Sequence, residues 1–372
     1  MGENRSMNVA WLPASPLEGW ASMDRYWREL NAIACATPPM NLRIHSVLPN
    51  PPPQRSTRAP RWRRMVDKYL VYPLRARGEH SSLCHVLDHS YAHLLRYLPR
   101  SARKIVTVFD LVPLEDSSSM SSAQISRFRS TVEHLKSADH LISISEETRR
   151  KLGTLLGIPT ERVTVVLPGT DFVTFQQPVS EANPTRQKLA RLPKIIFSVG
   201  SAIPRKNLHS LPAIFAHLRG QFERKGCCFV RAGERLPEAL RLEIMAITGE
   251  AGFIELGPLF GDDLIAAYQS SRALIFPSTL EGLTFVIPEA MSAGCPIVTN
   301  TMTANPEAAG AAGLYYQEGD SAAAAQQLLS LLEDDSVHAQ KRTQGIERAR
   351  SLTWRKHFES LIDLYRSQLA LS

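Results

Sequence analysis

Two carboxylates and two cations carry the chemistry that this sequence can be expected to do. In "TLEGLTFVIPEAMSAGCPIVTN", residues 279–300, Glu281 and Glu289 bracket a largely apolar run. "RALIFPS" before it reads as a buried strand, and "CPIVTN" at its end is a second short β-branched run. The pattern is strand, loop, short helix, strand. Glu281 falls in the loop and Glu289 inside the helix, where surface solvation alone does not account for them.

The second dense stretch is "FSVGSAIPRKNLHSL", in which Gly200 follows an apolar strand and Arg205 and Lys206 precede a helix. Cations at that place can meet phosphate oxygens, and helix-end amides add further donors. The plain alternative makes Arg205 and Lys206 ordinary exposed residues and Gly200 a tight turn. Gly282 permits close backbone approach, and Leu283, Thr284 and Phe285 can aim amides at a diphosphate. Glu289 suits a ribose diol, and Glu281 suits sugar hydroxyls near a reacting carbon. The complementary ligand is a nucleotide diphosphate sugar. Two carboxylates alone do not make a hydrolase, because that role depends on their separation.

Positioning these groups takes two α/β halves. "MNVAWL", "LRIHSVL", "KIVTVF", "HLISI" and "RVTVVL" supply strands of the first half, and Ser145 before Glu146 and Glu147 is a helix cap. "KIIFSVG", "CCFVRAG", "GFIELG", "RALIFPS", "CPIVTN" and "GLYY" supply the second. Strands alternating with helical stretches predict parallel sheets covered on both faces, with ligands at the strands' carboxyl ends. The expected division is an N-terminal domain over 1–170, a linker at 171–193 rich in proline, a second domain over 194–352, and a closing helix at 353–372. That helix either packs on its own domain or crosses back to the first.

The 372 residues are 44% apolar and 21% charged, which suits a globular enzyme or binding protein. No apolar run reaches the roughly 20 residues of a membrane span, and the N-terminus does not read as a secretion signal. Five scattered cysteines and no HExxH point to reduced thiols and compel no metal site; the acidic pair Asp262–Asp263 reads as surface capping. The net charge of +7 is concentrated in an insertion at 55–78, with Arg55, Arg58, Arg61, Arg63, Arg64, Lys68, Arg75 and Arg77 against Asp67 alone. Trp62, Met65, Val66, Tyr69, Leu70 and Tyr72 interleave with these cations. The segment is either a solvated face or an interfacial helix on an anionic membrane surface. No nucleic-acid-binding module accompanies it, so nucleic acid is not an expected partner.

The motifs "VGSAIPRKNL", "FIELGPL", "ALIFPSTLEGLTFVIPEAMSAGCPIV" and "NPEAAGAAGLYY", in that order, resemble those of retaining nucleotide-sugar glycosyltransferases of family 4. The resemblance covers roughly residues 160–370, and more weakly 8–159 through "HVLDHSYAHLL", "TVFDLVPL" and "LISISEETRRKL". It implies the GT-B fold, two Rossmann-like domains facing an interdomain cleft, and transfer of a sugar with retention onto a hydroxyl acceptor. It also implies that Glu281 touches the donor sugar, that Arg205 and Lys206 hold its diphosphate with the Leu283–Phe285 backbone, and that Glu289 holds its ribose. Phe109 departs from the family, which often has histidine before the aspartate equivalent to Asp110; phenylalanine cannot move a proton. A path in which the donor phosphate takes the acceptor proton does not need that histidine. Asp110 is then a strand-edge turn residue or an acceptor-side contact, and His89 and His93 are acceptor-side candidates or structural pairs. Gly19 is the lone glycine of the first loop, where the family has more. No cofactor is required, the nucleotide sugar being a substrate. The acceptor expected is a lipid-linked saccharide of polysaccharide biosynthesis, with a soluble saccharide as the alternative; the chain is expected to be cytoplasmic, either free or peripheral at the inner face of a membrane. A sugar-nucleotide epimerase and a non-catalytic sugar-nucleotide-binding protein are the rival readings.

Overall fold

The computed structural model describes residues 7–48, 58–116 and 120–370. Arg55 lies outside the described residues. The chain divides into two compact units, one made of Met1–Gly169 with Trp354–Ser372 and the other of Thr170–Thr353.

The described residues of the first unit form a six-stranded parallel sheet. Its strands are β1 (Met7–Leu12), β2 (Leu42–Ser46), β3 (Leu83–Val86), β4 (Arg103–Val108), β5 (His140–Ser143) and β6 (Val163–Val165), in the order β2-β1-β3-β4-β5-β6. The inner strands are apolar runs buried along most of their length, as parallel strands covered on both faces must be. The Glu146–Leu156 helix starts where the sequence places it. Ser145 accepts the Thr148 amide at 3.0 Å, Glu146 and Glu147 lie in the first turn, and Gly157 ends the helix at φ 66°.

The closing helix, Trp354–Ala370, belongs to this first unit. A buried polar chain ties it to the sheet. Trp11 Nε1 donates to the Tyr365 hydroxyl at 2.9 Å, Tyr365 meets His85 Nδ1 at 2.5 Å, and His85 Nε2 meets Thr107 at 2.8 Å. His357 links the Tyr26 hydroxyl and the Leu167 carbonyl, each at 2.8 Å. Buried polar atoms need such partners, so this chain fixes the helix in one register.

The second unit repeats the plan with β7 (Lys194–Gly200), β8 (Cys227–Gly233), β9 (Phe253–Glu255), β10 (Ser271–Phe276), β11 (Ile297–Asn300) and β12 (Gly313–Tyr316). The order is β12-β11-β10-β7-β8-β9, all parallel. The chain leaves β7 toward β8 and later returns to place β10 on the other side of β7. That is the topological switch point, where open α/β sheets take their ligands.

Residues 171–193 are not the expected linker but part of the second unit. Pro184 is the first residue of a helix, Pro184–Leu189, capped by Asn183, a position that proline favours rather than breaks. The helix packs on Gly261–Ser270, and Asn183 Nδ2 donates to Asp263 Oδ1 at 3.0 Å. Asp263 therefore also ties two helices together. Phe175 is buried beside Tyr268, with ring centroids 6.1 Å apart.

Candidate functional site

The basic turn and the acidic loop, 75 residues apart in sequence, meet at the switch point. Pro204–Lys206 forms a single 3-10 turn after β7, and Asn207 reverses the chain in the left-handed region at φ 52°. One Arg205 guanidinium nitrogen donates to the Leu280 carbonyl at 2.9 Å and to Glu281 Oε2 at 2.8 Å. Lys206 Nζ donates to Glu281 Oε1 at 2.5 Å, and Ser278 Oγ donates to the same oxygen at 2.6 Å. The Arg205 carbonyl in turn accepts the Thr279 amide at 2.9 Å, so the two loops are joined through backbone as well.

Glu281 is 6% exposed. Burial acts to raise its pKa, but the charges of Lys206 and Arg205, with the hydrogen bonds from Lys206 and Ser278, outweigh that and hold the carboxyl below its ordinary range. Burial draws the Lys206 ammonium down, against the pull of Glu281. The carboxylate is thus ionised with both oxygens engaged.

A supporting layer that sequence reasoning missed holds this cluster. The Glu281 amide donates to Thr303 Oγ1 at 3.2 Å, and Thr303 sits at φ 47°, a strained place for a β-branched residue. Asn305 Nδ2 donates to the Ser278 carbonyl and to Asn300 Oδ1, each at 2.9 Å, and Asn300 Nδ2 donates to the Pro277 carbonyl at 2.8 Å. Arg231 is also unforeseen. It is 1% exposed, and its guanidinium donates to the carbonyls of Gly200, Ser201 and Ala232. Burial lowers its pKa to about 10. A lone arginine inside the apolar strand "CCFVRAG" was the available signal. Gly200 leaves β7 at φ 125° against Gly233 of β8, where any side chain would run into the Gly200 carbonyl. A cavity of about 240 Å³ adjoins, lined by Arg231, Gly233, Glu234, Glu255 and Gly257.

Gly282, Leu283, Thr284 and Phe285 form the irregular stretch leading into the Val286–Ser292 helix, where the Val286 amide donates to Thr284 Oγ1 at 3.1 Å. Glu289 lies in this helix, buried, and accepts from the Tyr268 hydroxyl at 3.2 Å. A cavity of about 700 Å³ in the same unit opens instead beside Lys194 and Arg272, at the amino ends of β7 and β10. Volume alone therefore does not mark the site; the strand ends do.

The acceptor-side candidates are spread through the first unit. Gly19 is left-handed at φ 66°, and a Cβ there would stand 2.7 Å from the Arg58 amide. Asp110 accepts the Val112 amide at 3.1 Å, closing the turn after β4. His89 Nδ1 accepts the Phe109 amide at 3.4 Å, and His93 Nε2 donates to the Lys68 carbonyl at 2.9 Å. The Phe109 ring is buried edge-on against Tyr26, centroids 5.0 Å apart.

Two parallel α/β units, the second with a charged cluster at its switch point, define the GT-B class of glycosyltransferase folds. A sucrose-phosphate synthase from Thermosynechococcus elongatus shares the fold at a TM-score of 0.73, with 19% identity over 98% of this chain and 100% of that one. Anabaena Alr3699/HepE, solved with UDP and glucose, does so at 0.71, with 16% identity over 97% and 100%. Residues 193–334 match the family described as Glycosyl transferases group 1. The O-antigen chain mannosyltransferase B of Escherichia coli is 25% identical over 308 residues, 81% of this chain and 80% of that protein.

Proposed function

We propose that the chain transfers a sugar, with retention, from a nucleotide diphosphate donor to a hydroxyl acceptor. The observation that carries this reading is the meeting of Arg205, Lys206 and Glu281 between β7 and β10. Two cations against one carboxylate leave an excess positive charge that a diphosphate complements. On donor binding, Arg205 and Lys206 turn toward the phosphate oxygens and stabilise the charge that grows as the sugar departs. Glu281, relieved of part of its bonding, takes the sugar hydroxyls. An ionised carboxylate with both oxygens engaged suits neither a proton donor nor a nucleophile. That favours the path in which the leaving diphosphate accepts the acceptor's proton, on the face the sugar leaves. The Leu283–Phe285 backbone completes the phosphate contacts, and Glu289 takes the ribose diol. The reading needs no cofactor. The relative that binds UDP and glucose supports a nucleotide sugar, and the mannosyltransferase relative supports mannose and polysaccharide assembly.

A peripheral membrane position belongs to the same reading. No helix of the described residues is long and apolar enough to cross a membrane. In the segment Arg61–Arg77 a π-helical turn, Asp67–Val71, joins two short helices, and Trp62, Val66, Leu70 and Leu74 are exposed at helical spacing. Arg61, Arg63, Arg75 and Arg77 flank that stripe, as anionic lipid would require.

A panel of nucleotide sugars and acceptors, with products resolved by mass, tests the reaction. Glycosylated product appearing only with acceptor is the expected result. An epimer formed from donor alone would make the chain an epimerase, and donor binding without turnover across the panel would make it a binding protein. Sedimentation with anionic vesicles should fall when Trp62 and Leu70 are replaced by glutamate; equal sedimentation removes the membrane assignment.

A further inference from the structure

The first unit carries a second concentration of cations. A cavity of about 470 Å³ opens beside the Arg61–Arg77 segment and the Ser122–Glu133 helix. Arg58, Arg61, Arg64, Lys68 and Arg127 line it, against a single lining carboxylate, Glu18, which Arg64 already holds at 2.6 Å. Among the described residues neither Lys68 nor Arg127 forms an ion pair. The Lys68 ammonium sits in an aromatic cage, 4.3 Å from the Tyr91 ring centroid, 5.8 Å from Trp20 and 6.0 Å from Tyr69. Rings hold a cation in place without consuming its charge. Arg64 and Arg127 repel it through space, while Asp88 and Glu18 attract it. Like charges gathered round one cavity, with Lys68 and Arg127 outside any ion pair among the described residues, favour an anion there, and guanidinium forks match phosphate oxygens.

An adjoining cavity of about 340 Å³ shares Met65, Tyr69, Arg127 and Thr131 with the first. His93 lines it. Because Nε2 donates to the Lys68 carbonyl, Nδ1 presents a lone pair, and this buried nitrogen has no partner among the described residues. A lone pair of that kind asks for a hydroxyl donor, whereas the neighbouring cations ask for an anion. Phosphate next to hydroxyl is the chemistry that satisfies both.

We propose that the acceptor is a phosphate- or diphosphate-bearing saccharide, its anion held by Arg58, Lys68 and Arg127 and its hydroxyls extending toward His93. The assignment rests on the transferase reading, with the first unit as the acceptor side. The phosphate has two sources, a soluble sugar phosphate or the phosphate joining a glycan to a lipid.

Calorimetry on the full chain tests the site, with nucleoside diphosphate saturating the donor cluster. The probes are glycerol 3-phosphate, uncharged glycerol, and monomeric dodecyl phosphate. Glycerol 3-phosphate should bind at least tenfold more tightly than glycerol, and Arg127→Gln or Lys68→Met should weaken it tenfold or more. Arg127 is exposed, so its variant keeps the fold even where Lys68→Met does not. Equal binding of phosphate probe by wild type and Arg127→Gln overturns the site. Tighter binding of dodecyl phosphate than of glycerol 3-phosphate identifies the lipid source, and equal binding the soluble one; both support the site. In transfer assays Arg127→Gln should raise KM for phosphorylated acceptors and spare neutral ones. Turnover with phosphate binding indifferent to Arg127 removes the site and keeps the transferase. Phosphate binding lost in Arg127→Gln, with no product from any acceptor, does the reverse.

Discussion

The two units each gather cations, but they treat the charge differently. In the second unit Arg205 and Lys206 are bonded to a buried carboxylate, and the whole group is braced by Ser278 and by the backbone. In the first unit Lys68 and Arg127 face a cavity without an ion pair among the described residues, and rings steady Lys68. The first arrangement is built into the fold: a buried ion pair has its geometry set before any ligand arrives, and such preorganisation is what stabilises developing charge. The second is closer to solvent, so its attraction for an anion is screened by salt within about 10 Å at 0.1 M. A cluster that carries out chemistry must be placed; a cluster that collects a substrate needs only to be unpaired.

Removing the carboxylate breaks the comparison most severely. Glu281→Ala leaves two largely buried cations without their partner, which costs on the order of 3 kcal/mol or more. It also removes the group that orients the donor. Transfer should fall roughly 10³-fold, of the order seen when a preorganised electrostatic contact is lost. Steady-state rates read beside thermal melts separate the two losses, and Glu281→Gln, which keeps the shape, should recover part of the stability. A variant with wild-type turnover would show that Glu281 serves only to pair the cations.

Much of this second-unit cluster was legible because its elements follow local rules. Glycine after an apolar strand, cations before a helix, and acids between two buried strands each violate simple solvation, and the violations coincide. What could not be read was the pairing itself. Arg205 and Lys206 looked like phosphate ligands and Glu281 like a sugar ligand, and no spacing rule joins residues so far apart in sequence. Asn300 and Asn305 gave no signal in the sequence, because their contacts are to carbonyls of another loop. The prolines of 171–193 suggested a linker, since proline excludes helix interiors, yet at the first helical position the same ring favours a helix. In the first unit the cationic insertion was plain from composition, but its cavity depends on Arg127 from a separate helix.

Acid sharpens the contrast between the units. Burial lowers His85 to about 3, with the charge of His357 adding to the effect; it lowers His93 and His357 to about 4, against hydrogen bonds that work the other way. All three belong to the first unit. Their folded values lie below the unfolded 6.5, so the unfolded chain binds more protons between them. Stability is therefore lost as pH falls below 6.5, by about 2 kcal/mol for each such histidine at pH 5. The second unit has His338, lowered to about 4 by burial and by Arg272 and Arg342, but it is only partly buried. Glu281, lowered, stabilises above the ordinary carboxyl range and withdraws that stabilisation only as pH falls through its own folded value. The first unit should unfold at the higher pH. All five tryptophans lie in it, so their fluorescence reports that unit alone, while hydrogen exchange in β7–β12 peptides reports the other. Coincident transitions would mean that the histidines do not set the acid limit.

The smallest effect is expected at Phe109, where the sequence departs from the family it resembles. Its ring is 5% exposed and meets Tyr26 edge-on, and Tyr26 in turn bonds His357 of the closing helix. The backbone is committed as well, donating to His89 and accepting from Thr148 at 3.3 Å. The residue is therefore wired into the aromatic packing of the first unit, where a polar ring loses contacts and gains a nitrogen to satisfy. Phe109→His should lower stability by about 1–2 kcal/mol. If the leaving diphosphate takes the acceptor's proton, the new imidazole has no proton to move, and the rate on a given acceptor should change by less than about threefold, well under the roughly 10²-fold that a general base supplies. A rise of tenfold or more would show that proton removal limits the native enzyme. A tenfold fall in a folded variant would instead place the phenylalanine ring against the acceptor and give the first unit a contact that its charge does not reveal.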